Sequence, residues 1–247
     1  YRANASANSG AVMNGALAST TRGTGPHAGQ RLVTAGVPLD RARLALVMIH
    51  GRGGAPEDMV GLADHLALPD LAVFAPEAAG RSWWPGSFLA PLEANEPGLS
   101  SGLSALSHLL DDLAKLGFGP ERVALVGFSQ GACLAVEAAA RFCRPFHAVA
   151  VLSGGLVGTG EAGGAPRADL YDHPAKTIDY EGLLADVPML LGCHEQDPHI
   201  PLARVRASAK VFEAIGAKVD TMVIPGAGHG IIAKEVTWLR KHLNNEE

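Results

Sequence analysis

Two pentapeptides in this chain match G-x-S-x-G, a pattern that can hold an activated serine: GLSSG at 98–102 and GFSQG at 127–131. A serine hydroxyl attacks a carbonyl only when a base takes its proton and a further group orients that base. The turn that exposes such a serine needs a buried strand leading in, a helix leading out and small residues at the crossing. GLSSG follows PLEANEP, which no central strand can contain. Ser100 or Ser101 is expected to cap the helix that follows instead. GFSQG follows apolar VALV and opens QGACLAVEAAA, which reads as a helix. Ser129 is therefore the candidate nucleophile, at a helix N-terminus whose dipole favours developing negative charge.

The partners are sought further along the chain, in the order Ser, acid, His. His229, alone between two glycines in GAGHG after the apolar TMVIP, is the candidate base. The acid is Asp197 or Glu195, both in HEQDPHIP. Asp197 is preferred because it precedes Pro198 in a turn able to fix it. His194, Asp197 and His199 share that loop, but there is no second ligand cluster, so no metal is expected. An oxyanion hole needs two backbone N–H groups. The residue after the nucleophile, Gln130, offers one. Arg52, in the Gly-rich HGRGG after LALVMIH, is expected to offer the other, its side chain free to face substrate or solvent. No phosphate-binding glycine motif is present, so no nucleotide cofactor is expected.

The elements that must position these residues alternate. Strands are expected near 30–37 (an edge), 44–50, 71–76, 121–128, 146–153, 187–193 and 217–225. Helices are expected near 56–68, 99–117, 130–143, 201–216 and 231–243. Such alternation predicts an α/β fold with a mostly parallel sheet covered by helices on both faces. Functional residues then collect at the carboxyl ends of the strands, where Ser129, Asp197, His229 and HGRGG all fall.

HGRGG, GFSQGA, CHEQDPHIP and GAGHG together resemble the α/β-hydrolase superfamily, and most closely its phospholipase/carboxylesterase branch, over about 30–243. The resemblance implies a cofactor-free serine esterase with Ser129, Asp197 and His229 as its triad, acting on small or lipid-like esters or thioesters. The R-G-G after His50-Gly51 and the long SWWPGSFLAPLEANEPGL differ from the usual acyl-protein thioesterases, so protein depalmitoylation is not carried over. Serine at the elbow argues against the dienelactone hydrolases, which use cysteine.

The totals fit a globular domain. A net charge of −5 gives no reason to expect nucleic acid or an anionic membrane as partner, and no apolar run reaches the roughly 20 residues of a membrane span. Three cysteines without a C-x-x-C, each in an apolar run, read as small buried hydrophobes and favour a cytoplasmic setting. Residues 1–28, rich in Ala, Ser, Asn and Gly, are expected to be a flexible tail outside one catalytic domain at 29–247. In a chain only 5% aromatic, the cluster holding Trp83, Trp84 and Phe88 stands out. It is expected to line a small, partly open pocket or to anchor its own loop. The polar 154–182 segment reads as a cap or as a loose surface loop. Trp238 and Leu239 face the core or a second subunit, leaving a homodimer open. The favoured reading is hydrolysis of short-to-medium carboxylic esters. The alternatives are a thioesterase or lysophospholipase for longer chains, and a non-catalytic binding protein on the same scaffold.

Overall fold

The computed structural model describes residues 17–244. Seven strands form one sheet in the order β1-β3-β2-β4-β5-β8-β9. They are β1 (Leu32–Gly36), β2 (Leu44–Ile49), β3 (Leu71–Pro76), β4 (Val123–Phe128), β5 (Ala148–Leu152), β8 (Pro188–Gln196) and β9 (Lys218–Ala227). Only β1 runs antiparallel, pairing with β3 at the edge. Every other pairing is parallel. The strands and helices fall close to the sequence expectation, and the fold is the expected α/β-hydrolase class.

Continuous apolar strands read as covered on both faces, and β2 shows why. All six of its residues are buried. Ala45, Val47 and Ile49 enter one core, shared with α2 (Gly98–Lys115), α3 (Gln130–Phe142) and α4 (Leu202–Ala214). Leu44, Leu46 and Met48 enter the other, under α1 (Pro56–Leu66) and α5 (Ala233–Leu243). Two layers of helix thus fix the sheet, and the sheet fixes where its carboxyl-end loops emerge. Trp238 and Leu239 are spent inside this second core, with the Trp238 indole N–H on Asp220 Oδ2 at 2.6 Å, so they present nothing to another subunit.

Three segments differ from expectation. Residues 17–28 are not loose. Arg22 pairs with both carboxylate oxygens of Asp112 (2.6 and 2.9 Å), and Thr21 and His27 are buried. The polar composition hid this because the segment is held by hydrogen bonds rather than by an apolar face. The part of the expected tail at 1–16 lies outside the described residues. The 154–182 segment contains a two-stranded antiparallel ribbon, β6 (Gly160–Arg167) and β7 (His173–Thr177). Finally, neither Ser100 nor Ser101 caps α2. The helix starts at Gly98, and Glu96 instead accepts from the Ser100 N–H (3.0 Å) and hydroxyl (2.7 Å). Ser101 Oγ ties down the N-terminal segment through His27 N and Thr24 O.

Candidate active site

Ser129 stands between the last residue of β4 and the first of α3, with φ 55° and ψ −119°. That backbone is strained for any residue with a Cβ, at a cost of about 1–3 kcal/mol, and persists only where the surroundings enforce it. The surroundings here are backbone. A Cβ on Gly127 would lie 2.3 Å from the Gly131 carbonyl oxygen, and one on Gly131 would lie 2.1 Å from that of Ile49. Both flanking glycines are therefore required, and they let helix and strands close around the turn. The Ser129 N–H donates to Leu152 O at 2.9 Å, locking the strained residue to the neighbouring strand.

His229 comes from the loop after β9. Its Nε2 is 2.8 Å from Ser129 Oγ, and its Nδ1 is 2.7 Å from Asp197 Oδ2. Asp197 is 1% exposed. Its Oδ1 accepts the backbone N–H groups of His199 (2.8 Å) and Ile200 (3.0 Å), which aims Oδ2 at the imidazole. Burial pushes this carboxyl up, but the hydrogen bonds from His229, His199 and Ile200 outweigh it and hold it below its ordinary range. The other acidic candidate, Glu195, is exposed. The expected serine, acid and histidine are thus brought into one hydrogen-bonded line from β4, β8 and β9. The His199 ring stands edge-on to that of His229 at 4.9 Å, and Phe128 lies 5.2 Å from it.

The Gly51–Arg52 loop runs beside the serine: a Cβ on Gly51 would lie 3.1 Å from Ser129 Cβ. Arg52 follows Gly51 in that loop, and Gln130 follows Ser129 as the first residue of α3. The Arg52 side chain differs from expectation, and the Gln130 side chain has a role of its own. The Arg52 guanidinium is not free; it binds the carbonyls of Pro85 (2.6 Å) and Gly86. The Gln130 amide accepts from Trp83 N (2.9 Å) and donates to Trp84 O (2.8 Å). Both clamp the aromatic loop over the serine.

A cleft of about 490 Å³ opens onto Ser129 and His229. Trp84 and Phe88 line it as expected, with Phe128, Cys133, His199 and Ile200. Trp83 does not. It is fully buried, its indole N–H donating to His50 O at 2.9 Å, so it anchors the loop. Adjacent residues in an extended loop face opposite ways, and which one faces the cleft depends on contacts far off in sequence. His199 and the clamping amide of Gln130 were missed as site residues. Their positions, two residues after the acid and one after the nucleophile, were the available signals. Cys133 and Cys193 are buried as expected, while Cys143 is only partly covered and ends α3 in a left-handed conformation.

Residues 37–246 match the family model described as Phospholipase/Carboxylesterase. The chain belongs to the phospholipase/carboxylesterase family. It is thereby a serine hydrolase of the α/β-hydrolase fold. A phospholipase/carboxylesterase from Dyadobacter fermentans is 32% identical, with a TM-score of 0.77 over 91% of this chain and 98% of that one. The Bacillus cereus carboxylesterase shares the fold, at 18% identity and TM-score 0.65 over 86% and 92% of the two chains. Acyl-protein thioesterase 1 of Gibberella zeae is 26% identical over 140 residues, and the match spans about half of each protein, 55% of this chain and 54% of the thioesterase. Among the described residues no helix of this family member is long and apolar enough to cross a membrane.

Proposed function

We propose that this chain hydrolyses short-to-medium carboxylic esters through an acyl-enzyme on Ser129. The observation that carries the reading is the unbroken line Ser129 Oγ, His229, Asp197, with contacts of 2.8 and 2.7 Å. Asp197 accepts from His229 Nδ1–H and so leaves Nε2 free of a proton. Nε2 takes the Ser129 hydroxyl proton as Oγ bonds to the ester carbon. The carbonyl oxygen becomes an oxyanion, which the N–H groups of Arg52 and Gln130 stabilise. The bond to the alkoxy oxygen then breaks as His229 returns the proton to it. Water enters, loses its proton to His229, and releases the acid and free Ser129 by the same steps.

The size of the cleft supports short acyl groups. Its walls are the fixed loop of Trp84 and Phe88 and the segment of His199 and Ile200. A thioesterase reading with longer chains has one observation in its favour, the partial likeness to acyl-protein thioesterase 1. Three unpaired cysteines are compatible with a cytoplasmic setting. The deciding test is hydrolysis of p-nitrophenyl esters from C2 to C16. The proposal expects kcat/KM to peak between C2 and C6. A steady rise to palmitate would transfer the assignment to the long-chain alternative.

A further inference from the structure

Arg204, in the first turn of α4, is 2% exposed, and its Nε and one Nη are buried with no hydrogen-bond partner among the described residues. A bare buried guanidinium is strongly unfavourable, and native interiors pair such groups. A carboxylate that acts on it, Glu137, is already committed elsewhere. Glu137 accepts from Arg141 Nε (2.7 Å), the Tyr180 hydroxyl (2.6 Å) and Val157 N (2.9 Å). A second buried cation, Lys176 of β7, feels the carboxylates of Glu161 and Glu137 as well as the charge of Arg204. Its ammonium donates to the Phe88 carbonyl at 3.1 Å, and burial pulls it down to about 8.

The unpartnered Arg204 guanidinium and the Lys176 ammonium adjoin the catalytic cleft. Phe88, which Lys176 holds, lines the cleft. So does Cys133, whose sulfur feels the Arg204 charge. Ile200, just before the start of α4, is part of that wall. The Arg204 side chain crosses Gly155, where a Cβ would lie 3.1 Å from Arg204 Cγ, so the glycine leaves it room. We propose that Arg204 and Lys176 form an anion-binding end of the cleft and that the preferred ester carries a carboxylate, bound there while its carbonyl meets Ser129. This rests on the esterase reading. A carboxylate supplies the two-oxygen acceptor a guanidinium fork is shaped to hold.

The test compares anionic esters with neutral partners of equal length: monoethyl glutarate with ethyl pentanoate, and 4-acetoxybutanoate with butyl acetate. The first pair places the carboxylate on the acyl half, the second on the alcohol half. In at least one pair the anionic ester should lead in kcat/KM by about tenfold or more, and Arg204→Met should lower that ratio at least tenfold. Neutral esters leading in both pairs, or a ratio unmoved by Arg204→Met, would overturn the proposal. If Arg204→Met does not fold, Lys176→Met must lower the same ratio. If the wild type hydrolyses no ester, the esterase reading has failed, and calorimetry with glutarate decides the anion site alone. Binding weakened tenfold by Arg204→Met, or by Lys176→Met in its place, supports it; no binding overturns it.

Discussion

Asp197 carries more than a charge. One of its oxygens is held by two backbone N–H groups so that the other meets His229 Nδ1. Asn at this position keeps an acceptor for those two N–H groups but turns an amide donor toward the ring. His229 would then carry its proton on Nε2, where it cannot take one from Ser129. Asp197→Asn should therefore fold normally and lose about 10³–10⁴-fold in kcat on a p-nitrophenyl ester; a loss under tenfold would remove Asp197 from the mechanism. These residues were legible in the sequence because each sits at a boundary that periodicity marks: an apolar strand, then the functional residue. The cleft was less legible. Trp83 and Trp84 have the same side chain and adjoining positions, yet one is held under His50 O and the other faces the cleft. Arg204, inside a helix of mixed polarity, carried no local mark of its burial.

At the level of elements, the elbow depends on the crossing of β4, β2 and α3. Gly131 approaches the carbonyls of both Ile49 and His50, and a Cβ there would lie 2.1 and 2.5 Å from their oxygens. Because backbone atoms cannot swing aside like a flexible side chain, Gly131→Ala must part helix and strand. It should lower stability by at least about 3 kcal/mol in urea unfolding, while Gly61→Ala, with open space around the added methyl, should change it by less than about 1. A Gly131→Ala protein as stable as wild type would show that the elbow does not need this contact. The β6–β7 ribbon was illegible for the opposite reason. Its first strand, GEAGGAPR, has neither alternation nor apolar weight. It is positioned by distant bonds: Glu161 accepts from Leu92 N at 2.9 Å, and Tyr171 donates its hydroxyl to the Asp197 carbonyl.

Across the whole molecule, the N-terminal segment and the catalytic loop depend on each other. His27 Nδ1 accepts the Ala79 N–H at 3.0 Å, and its Nε2 donates to Trp83 O at 2.8 Å. His50 accepts the Ala78 N–H at 3.0 Å through its own Nε2. Both rings are therefore neutral, and burial lowers the pKa of each despite backbone hydrogen bonds that favour the charged form. A histidine depressed in this way takes up a proton on unfolding. Its contribution to stability is present above about pH 6.5, the unfolded value, and drains away as pH falls through the folded one. A glutamine can supply the same acceptor and donor without titrating. Wild type should thus lose urea stability relative to His27→Gln between pH 7.5 and 5, and a pH-independent difference would show that His27 does not titrate with folding. The polar composition of residues 17–28 masked this contact, since hydrogen bonds leave no periodic trace.

The proposed chemistry converges on one oxygen atom, Ser129 Oγ. A fluorophosphonate ester reacts with a serine only when a neighbouring base takes the hydroxyl proton. Incubation with such a probe, followed by peptide mass spectrometry, should give one adduct on the peptide containing Ser129. The adduct should be absent in Ser129→Ala and strongly reduced in Asp197→Asn. No adduct on wild type, or one on another serine that survives in Ser129→Ala, would contradict the account.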